Sequence, residues 1–382
     1  MCGKEIIMTF FPNSGNIPKL RFSEFAGEWE ERYISEVISS KSKKYNPENS
    51  DSNYPSIELE SLSQDSGELL STFDSKNQKS IKNVFNSGDV LFGKLRPYLK
   101  KYYLADFDGV CSSEIWVLKS SILDSNYLYA FVQSNSFISL TEISSGSKMP
   151  RADWNLVSSS LIVYPSNTNE RKKIGKIIKL INSRIQTQRK IIEGLITLKI
   201  QSRNKLFKQI IKDDYEAFMV EEILNYEQPT KYIVSNTDYS SDKSLIPVLT
   251  ANKAFILGYT NEDWGIYNKG KCIVLDDFTL DLKYVDFSFK IKSSAIKLLT
   301  PKNNIDLKFV FEYFSFLNLS SNEHKRHYIS EIQPMLLNIP SIDIQNNISN
   351  FLLKLDAKIN LETELLNQFE NQKKYLLQNL FV

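Results

Sequence analysis

The stretch SIDIQNNISNFLLKLDAKINLETELLNQFENQKKYLLQNLFV, residues 341–382, decides the fold. Its apolar residues Ile348, Leu352, Leu355, Ile359, Leu366, Phe369, Leu376 and Leu380 follow a heptad seam that only Glu362 and Lys373 break. A stripe this narrow, sustained over more than four heptads, marks a helix that pairs with another helix rather than one lying on a globular surface. Ser341 and Asp343 supply the start signal.

A partner for it lies in the same chain. Laying Ile185 on Ile359 (359 − 185 = 174) puts Asn182-Ser-Arg-Ile185 on Asp356-Ala-Lys-Ile359, and Leu206-Phe207 on Leu380-Phe381. Upstream, Arg151 through Tyr164-Pro165 matches Arg326 through Ile339-Pro340 at an offset of 175, so one inserted residue reconciles the two registers. Solenoid units repeat every 20–50 residues or so, and a period this long means duplicated domains instead. In the upstream copy Ile174, Ile178, Ile181, Ile185, Ile192 and Leu195 form the stripe, and no proline interrupts residues 170–211. That helix is on the order of 60 Å long. Gly194 is expected to mark close packing or a bend. The two helices match in length and register, which favours an antiparallel pair within the chain. The alternatives are that each packs on its own domain or mediates a homodimer.

The stretch that precedes each helix has a different texture. Short β-branched and aromatic runs bounded by Gly, Ser and Asp, such as those at 56–59, 89–92, 113–118 and 161–164, read as strands, and 127–132 reads as a short buried helix. The second copy has runs at 245–249, 272–275 and 294–299, with a short helix at 313–319. The expected class is α/β (α+β), two mixed globular domains separated by two long helices paired as an antiparallel coiled coil. The expected boundaries are a loose leader at 1–19, a globular domain at 20–168, a helix at 169–212, a second globular domain at 213–340 and a final helix at 341–382.

Composition narrows the function. Hydrophobic residues make up 42% and charged residues 24%, as in soluble globular proteins. The formal net charge is only +2, so any nucleic-acid binding must come from local basic patches. Three scattered cysteines without a CxxC suit a reducing cytoplasm, and no apolar run reaches the roughly 18 residues of a membrane span. Catalysis has weak support. There is no GxxxxGK[ST] loop and no Pro-Pro dipeptide, which excludes the Asn-Pro-Pro-Tyr site of amino-methyltransferases. No nearby Cys or acid completes a persuasive metal site with His324 and His327, so neither catalytic nor metal-binding residues are expected.

The candidate binding residues are cationic and polar. Lys94, Arg96, Lys100 and Lys101 are interleaved with Tyr98, Tyr102 and Tyr103. Lys and Arg neutralise phosphates, and Arg also forks to guanine. A solvated strand edge remains the other reading of that run. Ser147, Lys148 and Arg151 combine a hydroxyl with two cations; Lys325 and Arg326 stand at the matching place in the second copy. Asn252 and Lys253 belong to a polar, aromatic stretch suited to reading bases.

Several of these segments together resemble the specificity subunit of type I restriction-modification systems. They are Pro18-Lys-Leu-Arg-Phe-Ser-Glu-Phe-Ala-Gly-Glu-Trp29, Gly88-Asp-Val-Leu-Phe-Gly-Lys-Leu-Arg-Pro-Tyr98, Val110-Cys-Ser-Ser-Glu-Ile-Trp116, Ser147-Lys-Met-Pro-Arg151 and the two Leu-Phe tails. The resemblance implies two target-recognition domains, each reading half of a bipartite, asymmetric DNA site, with the helices setting the spacing. It also implies two methylation subunits docked on the helices, which use S-adenosylmethionine, and two restriction subunits, which use ATP and Mg. The chain itself would hold no cofactor. Outward cations Lys172, Lys176, Arg184 and Arg189 are candidates for the subunit contact. The second copy departs from the pattern, keeping only the arginine of the Ser-Lys-x-Pro-Arg loop. A coiled-coil adaptor with protein-binding ends and no DNA binding is the competing reading.

Overall fold

The computed structural model describes residues 8–10, 15–50, 52–143, 149–250, 254–321 and 325–382. The chain is mixed α/β and divides into two compact units, Met1–Ile191 with Glu362–Val382, and Ile192–Leu361. Each unit contains a half of each long helix, Thr168–Lys212 and Ile342–Asn379.

In the first unit, a five-stranded sheet runs in the order Lys44–Tyr45, Lys82–Phe85, Gly109–Cys111, Pro55–Ile57, Phe73–Asp74, with one parallel pair at its centre. A three-stranded antiparallel sheet places Val90–Gly93 between Ile115–Leu118 and Tyr102–Leu104. Val90–Gly93 is buried throughout, as its run of apolar residues requires. Met8–Phe10, expected in the leader, forms a strand instead and pairs antiparallel with Leu20–Phe22, whose apolar Leu20 and Phe22 are buried. Arg21, between them, is also buried and forks to Glu170 at 2.7 and 2.9 Å, fastening this hairpin to the first turn of the long helix.

The Leu-Phe ending explains itself here. Leu380 and Phe381 are buried, and Phe381 meets Tyr127 and Phe131 of the short helix Ser125–Phe131, with ring centroids 5.7 and 6.3 Å apart. In the second unit Phe207 does the same against Phe309 (5.2 Å) and Tyr313 (4.8 Å) of the helix Leu307–Leu317. Both short helices are capped by an aspartate, Asp124 and Asp306, whose side chain accepts from the backbone N–H three residues on. That second unit has a four-stranded antiparallel sheet ordered Leu224–Glu227, Ile296–Pro301, Cys272–Asp276, Leu282–Val285. A three-stranded sheet centred on Ile246–Leu249 packs a separate core.

The long helices pair antiparallel within each unit. In the first, Arg184 lies over Phe369 (5.7 Å), and Gln188 donates from Nε2 to both the backbone oxygen (2.9 Å) and the carboxylate of Glu362. Gln188 and Glu362 are buried at 5% and 9% exposure, and they occupy the same position of the repeat (362 − 188 = 174). In the second, Lys199 contacts Asp356 at 2.6 Å. The two polar breaks in the seam are therefore built in: Glu362 takes an amide, and Lys373, 8% exposed, hydrogen-bonds the Tyr102 hydroxyl at 2.9 Å. Gly194 departs from expectation. A Cβ there would meet nothing within 4 Å, and the helix runs through it unbroken. Gly175 is the close approach, since its Cβ would lie 2.7 Å from the backbone nitrogen of Tyr127.

Candidate nucleic-acid interface

In the first unit, two segments singled out far apart in sequence are joined. Leu95 and Arg151 form an antiparallel bridge, the Arg96 N–H donates to the Pro150 carbonyl at 2.8 Å, and the Ala152 N–H donates to the Lys94 carbonyl at 2.8 Å. The tight turn Pro97–Leu99 is flanked by Arg96 and Lys100, both with left-handed backbones (φ +51° and +48°). Non-glycine residues hold that conformation only when the surroundings impose it, and such positions gather at binding sites. Arg96 and Tyr98 are exposed on this turn, and Met149 beside Arg151 is exposed as well.

Charge is distributed unevenly on this surface. The Arg151 guanidinium forks onto Glu114 at 3.0 and 3.4 Å, with both side chains partly in solvent, so much of its field is already met within the protein. Lys101 turns inward and donates to the Leu59 carbonyl at 2.6 Å. Lys100 borders a polar cavity. Arg96 is thus the exposed cation of the cluster beside Arg151, and Lys94 is partly exposed. Ser147 and Lys148 lie outside the described residues.

In the second unit, Lys325 pairs with Glu331 at 3.0 Å, and the Arg326 guanidinium lies 6.0 Å from the Phe278 ring centre. Asn252 and Lys253 lie outside the described residues, as does His324, while His327 is buried against Glu331 and Ser321. Trp264 belongs to the same polar, aromatic stretch that the sequence offers as a reading surface, but its support was not foreseeable there. Lys290, fully buried, places its ammonium 3.7 Å from the Trp264 ring centre, donates to the Trp264 carbonyl at 2.8 Å and pairs with Glu262 at 2.5 Å. Burial works against the ionised form of Glu262, yet hydrogen bonds from Lys290 and Ser235 outweigh it and hold its pKa near 2. Trp264 remains 53% exposed, a firmly seated aromatic plane of the kind that meets bases or sugars. Residues 26 positions apart build this seat, so no local spacing announces it.

The cations expected on the helix faces divide similarly. Lys172 and Lys176 are exposed and border a groove of about 430 Å³ floored by Phe22, Ile177 and Leu180. Arg184 covers Phe369, and Arg189 is tied to Glu370 at 2.7 Å. In the second unit a groove of about 500 Å³ is bordered by Leu206, Ile348 and Phe351. Ile177 and Phe351 are the same repeat position (351 − 177 = 174), so both units present an accessible apolar residue there.

Among the described residues no group of three or more His, Cys, Asp or Glu side chains is placed to hold a metal, and no helix is long and apolar enough to cross a membrane. Cys111 and Cys272 are buried free thiols; burial pushes the Cys272 thiol up to about 12 and leaves it unreactive.

Residues 26–196 match the family described as type I restriction modification DNA specificity domain. The chain is 43% identical over 172 residues to the type I restriction enzyme EcoR124I/EcoR124II specificity subunit of Escherichia coli, an alignment that covers 42% of each protein. It thus spans less than half the length of that relative in the alignment. Its fold is that of a solved type I restriction-modification system S subunit from M. genitalium, with a TM-score of 0.66 at 16% identity over 96% of this chain and 99% of that one. A chain from a structure of the assembly and conformational transition of a type I R-M system matches with a TM-score of 0.53 at 15% identity, covering 91% and 96%.

Proposed function

We propose that the chain is a type I restriction-modification specificity subunit and acts as the DNA reader of such a system, a reading supported by the family match over residues 26–196 and the 43% identity over 172 residues. The observation that carries this reading is the contrast between its two halves. The long helices agree in register and in their buried phenylalanine anchors, Phe207 and Phe381, while the sheets they carry differ in strand order and in surface chemistry. One half offers Lys94, Arg96 and Arg151 beside Tyr98, the other an exposed tryptophan on a buried lysine. Two unlike readers on a duplicated support suit a bipartite, asymmetric site, with domains at 20–168 and 213–340 and helical regions at 169–212 and 341–382.

Phosphate contacts from Lys94, Arg96, Arg151, Lys325 and Arg326 orient the duplex, and side chains on the loops read bases. Ser147, Lys148, Asn252 and Lys253 complete the proposed contacts. Two methylation subunits dock where Ile177 and Phe351 recur, flanked by Lys172 and Lys176. They bring S-adenosylmethionine, and two restriction subunits bring ATP and Mg, so the chain holds no cofactor and performs no chemistry of its own. The setting is cytoplasmic.

The test is a genome-wide map of adenine methylation in the host with and without this gene. A two-part asymmetric motif that is methylated only when the gene is present is the expected result. An unchanged methylation map in a host expressing the cognate methylation subunit refutes it.

A further inference from the structure

The internal repeat lets one unit serve as the control for the other. In the second unit Lys199 is held by Glu312 (3.1 Å) and Asp356 (2.6 Å), and the same two carboxylates hold Lys308, each at 2.9 Å. The repeat sets Lys373 where Lys199 stands (199 + 174 = 373) and Asn182 where Asp356 stands (356 − 174 = 182). Counting from the capping aspartates, Ala130 stands where Glu312 does (130 − 124 = 312 − 306). The first unit therefore keeps the buried ammonium and replaces both of its carboxylates with neutral side chains.

What surrounds Lys373 instead is a cavity of about 480 Å³. Its lining adds Lys100, Arg189 and Lys374 to Lys373, against Asp65 and Glu370, an excess of two positive charges. Asn182, 6% exposed, also lines it, and borders a neighbouring cavity as well. A chain of amides fixes its orientation: Gln133 Nε2 donates to the Tyr129 carbonyl (2.8 Å), and Asn182 Nδ2 donates to Gln133 Oε1 (3.2 Å). Asn182 Oδ1 is left buried without a hydrogen-bond partner, an acceptor waiting for a donor.

We propose that this cavity binds a phosphate monoester or inorganic phosphate, whose oxygens meet Lys373 and the surrounding cations and whose P–OH donates to Asn182 Oδ1. A monoester near neutral pH still carries that proton part of the time, because its second pKa is about 6. A diester, such as the DNA backbone, has no proton to give, and the orphaned acceptor discriminates against it. Burial, with Arg189 and Lys100 adding to its effect against Asp65 and Glu370, holds the Lys373 pKa to about 8, so the ammonium is charged at pH 7 yet poorly compensated. The bound phosphate anion, still carrying that proton, supplies negative charge where Glu312 and Asp356 supply it in the second unit.

The test uses the full chain without DNA, so its outcome is independent of the DNA-reading role. Inorganic phosphate, glycerol 3-phosphate and dimethyl phosphate are titrated calorimetrically at pH 7 against sodium chloride of equal ionic strength. Saturable binding of the first two and none of the third is expected. Asn182→Asp restores the carboxylate of the second unit and Lys373→Met removes the cation; each should weaken phosphate binding at least about tenfold, the usual scale of a lost charge-assisted contact. Phosphate no better than chloride, dimethyl phosphate equal to phosphate, or undiminished binding by both variants overturns the proposal.

Discussion

Replacing Glu312 with Gln tests how the second unit is held together. Glu312 is fully buried and lies 3.1 Å from Lys199, 2.9 Å from Lys308 and 3.5 Å from Arg203. Asp356 is the other carboxylate of the group, so three cations face two anions. Burial disfavours the ionised Asp356, but hydrogen bonds from Lys199 and Lys308 outweigh it and lower its pKa. The variant leaves three cations facing one anion in a site with little access to water. Each contact at about 3 Å carries roughly 5 kcal/mol of Coulomb attraction at an effective dielectric constant of about 20, and the desolvation of Glu312 that the variant avoids offsets much of this. Breaking a buried network from one side leaves a net loss of about 3–5 kcal/mol. For a unit of 170 residues (361 − 192 + 1), that lowers Tm by roughly 6–20 °C. Urea titration read by peptide-resolved hydrogen exchange assigns the loss to residues 192–361. Adding Lys308→Met should recover part of it by removing one stranded charge. A loss below about 1 kcal/mol, or one shared by residues 15–143, refutes the reasoning.

Three further expectations follow from other parts of the chain. Lys373→Met should change how stability varies with pH: the wild-type lysine releases its proton near pH 8 when folded and near 10.5 when unfolded, so it penalises folding below about 8 and the penalty fades as pH rises to about 10.5. The variant should be more stable at pH 7 by up to about 3 kcal/mol and flat across that window, which urea melts at pH 7, 9 and 10 would read. Gly175→Ala should destabilise the first unit by about 1–3 kcal/mol, since its Cβ meets backbone at 2.7 Å; a neutral change by thermal melting would contradict the close approach. On DNA, Arg96→Ala should weaken binding and reduce the salt slope by about 1, while Glu114→Gln should strengthen it by uncovering Arg151, both read by fluorescence anisotropy across a salt series.

Periodicity made the helices legible, because a seam of Ile and Leu at 3.5-residue spacing reports burial directly. The Leu-Phe endings were visible as a repeat, but their purpose, seating Phe207 and Phe381 among aromatic rings, required the fold. Glu362 and Lys373 looked like flaws in the stripe because hydropathy assigns no partner to a polar side chain. Gln188 and Tyr102 are those partners, and one of them is 271 residues away. Gly194 was a misleading signal, while Gly175, which the fold needs, carried none. The candidate surface was partly legible: the cations at 94–101 and 151 come together, but Glu114, which tempers Arg151, and Lys290, which seats Trp264, act across distances no local motif encodes.

The meeting of Gln188 with Glu362 constrains how such a chain is inherited. Each is the counterpart of the other, so recombination that copied one half over its twin would bring a residue face to face with itself. Two copies of the first half would set glutamine against glutamine, whose amides can satisfy one another. Two copies of the second would bury glutamate against glutamate, and one of the two could stay ionised only if the other held its proton. Gene conversion in this lineage therefore has a permitted direction and a penalised one.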